Sequence, residues 1–427
     1  MSSLALGDNV FRGSVPSVNL PERSRAGQVS GHVHPDFEPV RATFQAAFDR
    51  GEEWGASVCV WHAGEVVVDL WGGLMNVERR RPWERDTLAT VFSCTKGLVA
   101  TAFLMLAERG LLDYDTPVAS YWPAFAERGK ARITVRALLD HRAGLHALDQ
   151  AVTVDDIVQR PAYVADVLAR QDPHWPPGQD QGYHAVTYGL YAAELFRCIT
   201  GESVGSFFAR EVAGPLGADA FIGLPESHEA RVATNYPVTT RERLTKIIPK
   251  LLASDSTEGR VYRNVARGGD AQRAFAHPRE LGPAGIQNFN TRRIHALELP
   301  WGNGVANARG LCRVFAALAN GGEIDGVRLV RPELLEPVMH GGGWSEHDRV
   351  LQKPVGWSQG FLKENAGMFA PHREGFGHAG AGGSLAWADP VARVAMGYAM
   401  NKMDHMIRSP RALALCAVAH ECAARRA

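Results

Sequence analysis

Neither sign of charge is in excess in this chain. Its 427 residues carry 46 Lys and Arg against 46 Asp and Glu, and like charges never run in long blocks. That balance removes the electrostatic case for nucleic acid or an anionic membrane as the main partner. Long apolar runs are also missing. The longest, Gly97 to Ala107, is too short to span a bilayer. Residues Met1 to Val10 show neither a basic stretch nor a sustained apolar core, so no secretory signal is read there. Cysteine is sparse. Cys59, Cys94, Cys198, Cys312, Cys416 and Cys422 are scattered without Cys-x-x-Cys spacing. Neither a zinc site nor a disulfide framework is expected, and reduced thiols in a cytoplasmic protein fit best. His32-Val33-His34 and His420-Glu421-Cys422 lack a supporting ligand pattern, and their histidines read as surface residues. No metal and no cofactor is expected.

What is present is ordinary for a soluble enzyme: 45% apolar and 22% charged residues. Residues 1–34 are rich in Ser, Gly, Pro and Arg and read as a surface wrap. A helix is expected over 36–50. Ala56 to His62 and Glu65 to Trp71 read as a hairpin joined by Ala63-Gly64. A helix over Gly310 to Asn320 should stop at Gly321-Gly322. A second hairpin is expected from Ser384 to Met400 around the turn Asp389-Pro390. The last helix should open at Ser409-Pro410, a cap followed by proline at the first helical position. Residues 225–300 are polar and irregular. Strands at both ends with helices between imply a mixed fold of the α+β type: one antiparallel sheet built from both ends of the chain, flanked by helices. We expect a sheet domain from 1–110 and 301–427, a mostly helical region over 111–300, and the active site between them.

Ser93-Cys94-Thr95-Lys96 opens the apolar stretch. On a helix, positions three apart share a face, so Lys96 can lie beside the Ser93 oxygen. A serine hydroxyl is a poor nucleophile until a base takes its proton. Lysine can be that base where burial disfavours its charged form. The helix is apolar all round and should be buried. Cys94 then points to the core.

Three further segments follow in order. They are Leu138-Leu139-Asp140-His141-Arg142-Ala143-Gly144-Leu145, Tyr183-His184-Ala185, and Gly377-His378-Ala379-Gly380-Ala381-Gly382-Gly383-Ser384. With Ser93-x-x-Lys96, this set resembles the serine β-lactamase and penicillin-binding-protein superfamily, over about residues 45–400. It looks closest to the class C β-lactamase-like branch that includes the family VIII carboxylesterases. The resemblance implies a β-lactamase-like fold, with Ser93 as the acylated nucleophile and Lys96 as its partner base. Tyr183 would be the phenol that shares the Ser93 proton and passes it to the leaving group. His378-Ala379-Gly380 occupies the place of the family's Lys-Thr-Gly. That makes His378 and Gly380 substrate-binding residues on the strand that edges the site. Backbone N–H groups of Ser93 and Ala381 would form the oxyanion hole.

Two departures bear on substrate. The Asn of the family's Tyr-x-Asn is Ala185 here, and the Lys of Lys-Thr-Gly is His378, mostly neutral near pH 7. Losing both polar anchors disfavours penicillins and peptide termini and favours neutral esters. The reading is a serine ester hydrolase for short-chain or small neutral esters, with a small-molecule substrate as its partner. Alternatives are an acyltransferase on the same scaffold, or a β-lactamase or D-amino-acid peptidase. Intact Ser93, Lys96 and Tyr183 argue against a non-catalytic scaffold protein. Ser384 is not the nucleophile: its segment lacks the final glycine of Gly-x-Ser-x-Gly and precedes a strand, not a helix. Tyr188, Tyr191, His141 and His146 read as packing or structural residues.

Overall fold

The computed structural model describes residues 29–426, apart from 254, 364–366 and 407. The surface wrap expected at the N-terminus lies outside the described residues as far as residue 28. What is described of it is an edge strand, Ser30–Val33, which pairs with Val68–Trp71 in the second strand of the first hairpin.

One antiparallel sheet dominates. Its strands run in the spatial order Ser30–Val33, Glu65–Asn76, Gly55–His62, Val394–Met400, Leu385–Asp389, Phe376–Ala379, Phe361–Lys363, Val355–Ser358 and Gly343–Ser345. Both expected hairpins are present, and the Val394–Met400 strand pairs along its length with Gly55–His62. The two ends of the chain thus meet in the middle of the sheet. The second strand of the first hairpin runs on to Asn76, past the expected Trp71, with a register shift at Val60/Trp61.

Every residue of Gly55–His62 is buried because helices cover both faces of the sheet. Side chains alternate between faces along a strand. Cys59, Trp61, Ala386, Ala388, Ala395 and Ala399 point into one core, shared with the Cys94–Glu108 and Ala308–Ala319 helices. Val58, Val60, Trp387, Met396 and Tyr398 point into the other, shared with the Glu38–Asp49 and Pro410–Arg426 helices. The first face is lined by alanines because Ala308–Ala319 lies close against it. A Cβ on Gly397 would stand 2.0 Å from the Ala308 carbonyl oxygen, an impossible contact, so glycine is required there. Asn307 caps that helix by accepting from the Gly310 N–H, and Asn320 ends it before Gly321-Gly322.

The Cys94–Glu108 helix has no polar face. All residues from Cys94 to Leu106 are buried, including Lys96. Between residues 111 and 300 the described elements are helices apart from the short strand Ala220–Phe221. The stretch 225–300, expected to be irregular, contains a chain of short helices, among them Glu226–Arg231, Thr257–Ala266, Pro283–Asn290 and Arg292–Ala296. Local caps, such as Ser256 accepting from Gly259 N–H, define them where apolar periodicity does not.

One surface assignment is corrected. His420 and Cys422 lie on the inward side of the last helix. Cys422 is buried. His420 Nδ1 donates to the Cys416 carbonyl at 2.9 Å, and its Nε2 lies 3.2 Å from Asp389 Oδ2. The buried carboxylate at the strand end draws the histidine in.

Candidate active site

A small sheet brings the chain to Ser93. Ala89–Thr90 pairs with Val305–Ala306, which also pairs with Ala220–Phe221. Val91 N–H then donates to the Gly304 carbonyl at 2.8 Å. Phe92 turns with φ of 45°, a left-handed conformation costly for a residue with a side chain. Thr95 pins that turn: its hydroxyl donates to the Phe92 carbonyl and accepts from Gly304 N–H at 2.8 Å. Ser93 is left at the mouth of the buried helix.

Lys96 is fully buried. Its Nζ donates to the carbonyls of Ala185 at 2.8 Å and Trp301 at 2.7 Å, and lies 3.4 Å from Ser93 Oγ. No carboxylate is paired with it among the described residues. Burial therefore holds its pKa well below the usual lysine value. Tyr183 donates its hydroxyl to Ser93 Oγ at 2.9 Å. Burial pushes its phenol above the usual range, against the opposing effect of the Ser93 hydrogen bond. The Lys96 amine sits 4.9 Å from the Tyr183 ring centroid. The half-buried nucleophile thus meets a buried amine and a buried phenol.

His378 lies one residue before the end of the Phe376–Ala379 strand, beside this trio. Its Nδ1 faces the Ala379 carbonyl at 2.8 Å, which fixes the proton on Nδ1 in the neutral ring. Its Nε2 is buried without a hydrogen-bond partner among the described residues. Burial, with Lys96 adding to it, brings its pKa down to about 3. Gly97 leaves room for the ring: a Cβ there would reach 3.4 Å from His378 Cβ and 2.9 Å from Phe315. The turn Gly380 to Ser384 packs against Val91, just before Ser93. A Cβ on Gly380 would lie 2.3 Å from the Val91 carbonyl, so only glycine lets the turn carrying Ala381 come so near. Ser384 donates to the same carbonyl at 2.8 Å and is buried, a structural placement. Cys94 is buried, its thiol 3.2 Å from the His378 carbonyl and pushed up to about 12 by burial. Tyr188 and Tyr191 are core residues.

Several residues of the site carry no sequence motif. Trp357 stacks on Tyr183 with centroids 5.3 Å apart and planes at 6°. Asp348, fully buried, accepts from the backbone N–H of Tyr183 at 3.1 Å, Val350 at 3.0 Å and Leu351 at 2.8 Å. It anchors the tyrosine's backbone from across the site. Among the described residues no group of three or more His, Cys, Asp or Glu is placed to hold a metal ion, and no helix is long and apolar enough to cross a membrane.

Ser93, Lys96 and Tyr183 thus meet beside the Phe376–Ala379 strand of a sheet covered by helices on both faces. Residues 40–418 match the beta-lactamase family model, and the chain belongs to that family. It is 34% identical over 391 residues to the esterase/beta-lactamase LipL of Mycobacterium tuberculosis, covering 91% of this chain and 86% of the relative. A crystal structure of a family VIII carboxylesterase superposes with a TM-score of 0.80 at 39% identity, over 92% of this chain and all of the other (100%). A penicillin-binding-protein homologue from Caulobacter crescentus gives 0.79 at 33% identity, over 92% of this chain and 100% of that one.

Proposed function

We propose that the chain is a carboxylesterase that hydrolyses small neutral esters through an acyl-enzyme on Ser93. The observation that carries this reading is the setting of Lys96. A neutral amine has two hydrogens and one lone pair. The Ala185 and Trp301 carbonyls take the two hydrogens. The lone pair is left for Ser93, whose oxygen already accepts from Tyr183 and is free to donate to Lys96.

In this mechanism Ser93 Oγ attacks the ester carbonyl carbon while its proton moves to Lys96 Nζ. The N–H groups of Ser93 and Ala381 hold the oxyanion of the tetrahedral intermediate. Its collapse breaks the bond to the alkoxide, which takes the Tyr183 proton and leaves as the alcohol; Lys96 returns a proton to Tyr183. Water repeats the sequence on the acyl-enzyme and releases the acid. Ala185 offers only its carbonyl, and that is taken by Lys96; neutral His378 offers no charge. These two positions therefore give a substrate carboxylate no fixed grip, which favours neutral esters over β-lactams.

The test is labelling with a serine-reactive fluorophosphonate, with the adduct mapped by peptide mass, alongside kcat/KM for p-nitrophenyl butyrate and nitrocefin. One adduct on Ser93, near-background hydrolysis by Ser93→Ala and faster turnover of the butyrate are expected. An active Ser93→Ala enzyme would remove the mechanism. Nitrocefin turning over as fast as the ester would remove the substrate class.

A further inference from the structure

His141 reaches three successive positions around Tyr183. It follows the short Val135–Leu139 helix, is completely buried, and holds φ at 60°. Residues with side chains occupy that region only where the surroundings enforce it. Here the surroundings are the chain around Tyr183. The His141 carbonyl accepts from Gly182 N–H at 3.1 Å. Its Nδ1 accepts from His184 backbone N–H at 3.1 Å and faces His184 Nδ1 at the same 3.1 Å. Its ring packs edge-on against Tyr183, centroids 5.0 Å apart, and against Trp357 at 4.3 Å.

The tautomers follow by elimination. Leu145 N–H donates to His184 Nε2 at 2.9 Å, so that nitrogen carries no hydrogen and the His184 proton sits on Nδ1. His184 then donates from Nδ1 to His141 Nδ1. With two donors aimed at that nitrogen, the His141 hydrogen sits on Nε2. Both rings are locked neutral, because a second proton on either would have to point at an existing N–H. A loop residue whose only task was to fill space would not need this chain of directed bonds. Nor would it need its acceptor aimed at the residue next to the phenol.

We infer that His141 is a positioning residue for the proton-transfer step: its Nδ1 and its ring fix the Tyr183 hydroxyl on Ser93. The inference rests on Tyr183 being the acid/base partner of Ser93. His141 touches no reacting atom and acts only through Tyr183. A displaced catalytic group costs on the order of 10- to 100-fold in rate even when binding is intact.

The experiment compares His141→Ala, His141→Asn and Tyr183→Phe, singly and with each His141 variant combined with Tyr183→Phe, using p-nitrophenyl butyrate. Asparagine tolerates a positive φ and places an acceptor oxygen near the position of Nδ1. His141→Ala should lower kcat roughly 10- to 100-fold with KM within about threefold, and His141→Asn should recover most of the loss. In the Tyr183→Phe background neither substitution should lower kcat further, because groups that act as one unit are not additive. Multiplying losses, or a folded His141→Ala enzyme within twofold of the parent, would overturn the inference. If His141→Ala does not fold, His141→Gly, which tolerates the positive φ and also lacks the acceptor, takes its place in the same comparison with and without Tyr183→Phe. A fully active Tyr183→Phe enzyme would instead bring down the acid/base reading beneath it.

Discussion

Two buried cations in this molecule meet opposite fates. Lys96 and Arg411 are both nearly or wholly removed from water, at 0% and 7% exposure. Around Lys96 the partners are carbonyl oxygens, and burial drives its pKa far down. Around Arg411 the partners are acids. Its Nη1 donates to Glu53 Oε2 at 2.7 Å, and its Nε lies 3.6 Å from Asp404 Oδ2. Burial alone would lower the Arg411 pKa, but Tyr398, Glu53 and Asp404 outweigh it and raise it. The lesson concerns counter-charge. Desolvation neutralises a cation that has only dipoles for company and leaves charged one that has a carboxylate. The first arrangement is the one that the proposed base needs. The second ties the last helix to residues 52 and 53 at the start of the sheet, and to the Gly382 carbonyl beside the proposed oxyanion turn.

The sharpest way to break this contrast is the same substitution at both places. Lys96→Met keeps the bulk and removes the base. We expect kcat to fall about 10²- to 10⁴-fold, the range for a positioned proton-transfer group. Stability should drop by about 1–3 kcal/mol, because the Ala185 and Trp301 carbonyls lose their donor. Arg411→Met should do the reverse. It strands Glu53, which is 4% exposed, and should cost about 3–5 kcal/mol in denaturant unfolding. The folded fraction should keep kcat within a few-fold of the parent. Equal activity losses in the two variants would erase the distinction between a base and a brace.

A pH series sharpens the comparison further. The Lys96 amine must be unprotonated to accept the Ser93 proton, so kcat/KM should fall about tenfold per pH unit once the pH drops below its lowered pKa. The plateau above should begin well short of the ordinary lysine range near 10.4. The three site histidines should not contribute to that limb. His141 and His184 are locked neutral by their hydrogen bonds, and His378 charges only near about 3. His378→Gln should therefore leave the limb in place. An acid limb that vanishes in that variant would assign it to the histidine instead.

Much of this arrangement was legible in the sequence, and what was not has a common physical cause. The two central hairpins showed themselves through apolar runs broken by Ala63-Gly64 and Asp389-Pro390, and the Ala308–Ala319 helix through its glycine stop. The strands Gly343–Ser345, Val355–Ser358 and Phe361–Lys363 are three or four residues long, and the first two carry glycine and serine, so no period marks them. Ser93, Lys96, Tyr183 and His378 stood out because their side chains form motifs, and they lie together in the structure. The groups that set their chemistry left no such mark. The oxygens that hold Lys96 are backbone carbonyls of Ala185 and Trp301, and any residue carries one. Asp348 meets Tyr183 across 165 residues, and nothing in its local spacing announces that contact. His141 was visible, but its conformation and tautomer depend on residues far along the chain.

The smallest expected effect tests what the missing counter-charge means for substrate. His378→Lys would place an ammonium where a neutral ring now stands, beside an amine that is itself kept neutral. Two cations so close repel, so Lys96 should stay unprotonated and the acylating step should survive. A substrate carboxylate reaching the new ammonium would gain a charge-assisted hydrogen bond, worth about 1.5–3 kcal/mol when formed. Part of that is lost because the flexible lysine must be ordered and desolvated. We therefore expect the ratio of kcat/KM for a hemisuccinate ester to that for the matching butyrate to rise roughly tenfold. His378 is itself buried, so the variant's melting temperature should be recorded alongside. His378→Gln, neutral and similar in reach, is the control and should leave the ratio unchanged. A His378→Lys enzyme that is folded and active, yet shows the parent's ratio, would mean that this strand position does not contact the acyl group. The preference for neutral esters would then have to come from elsewhere in the pocket.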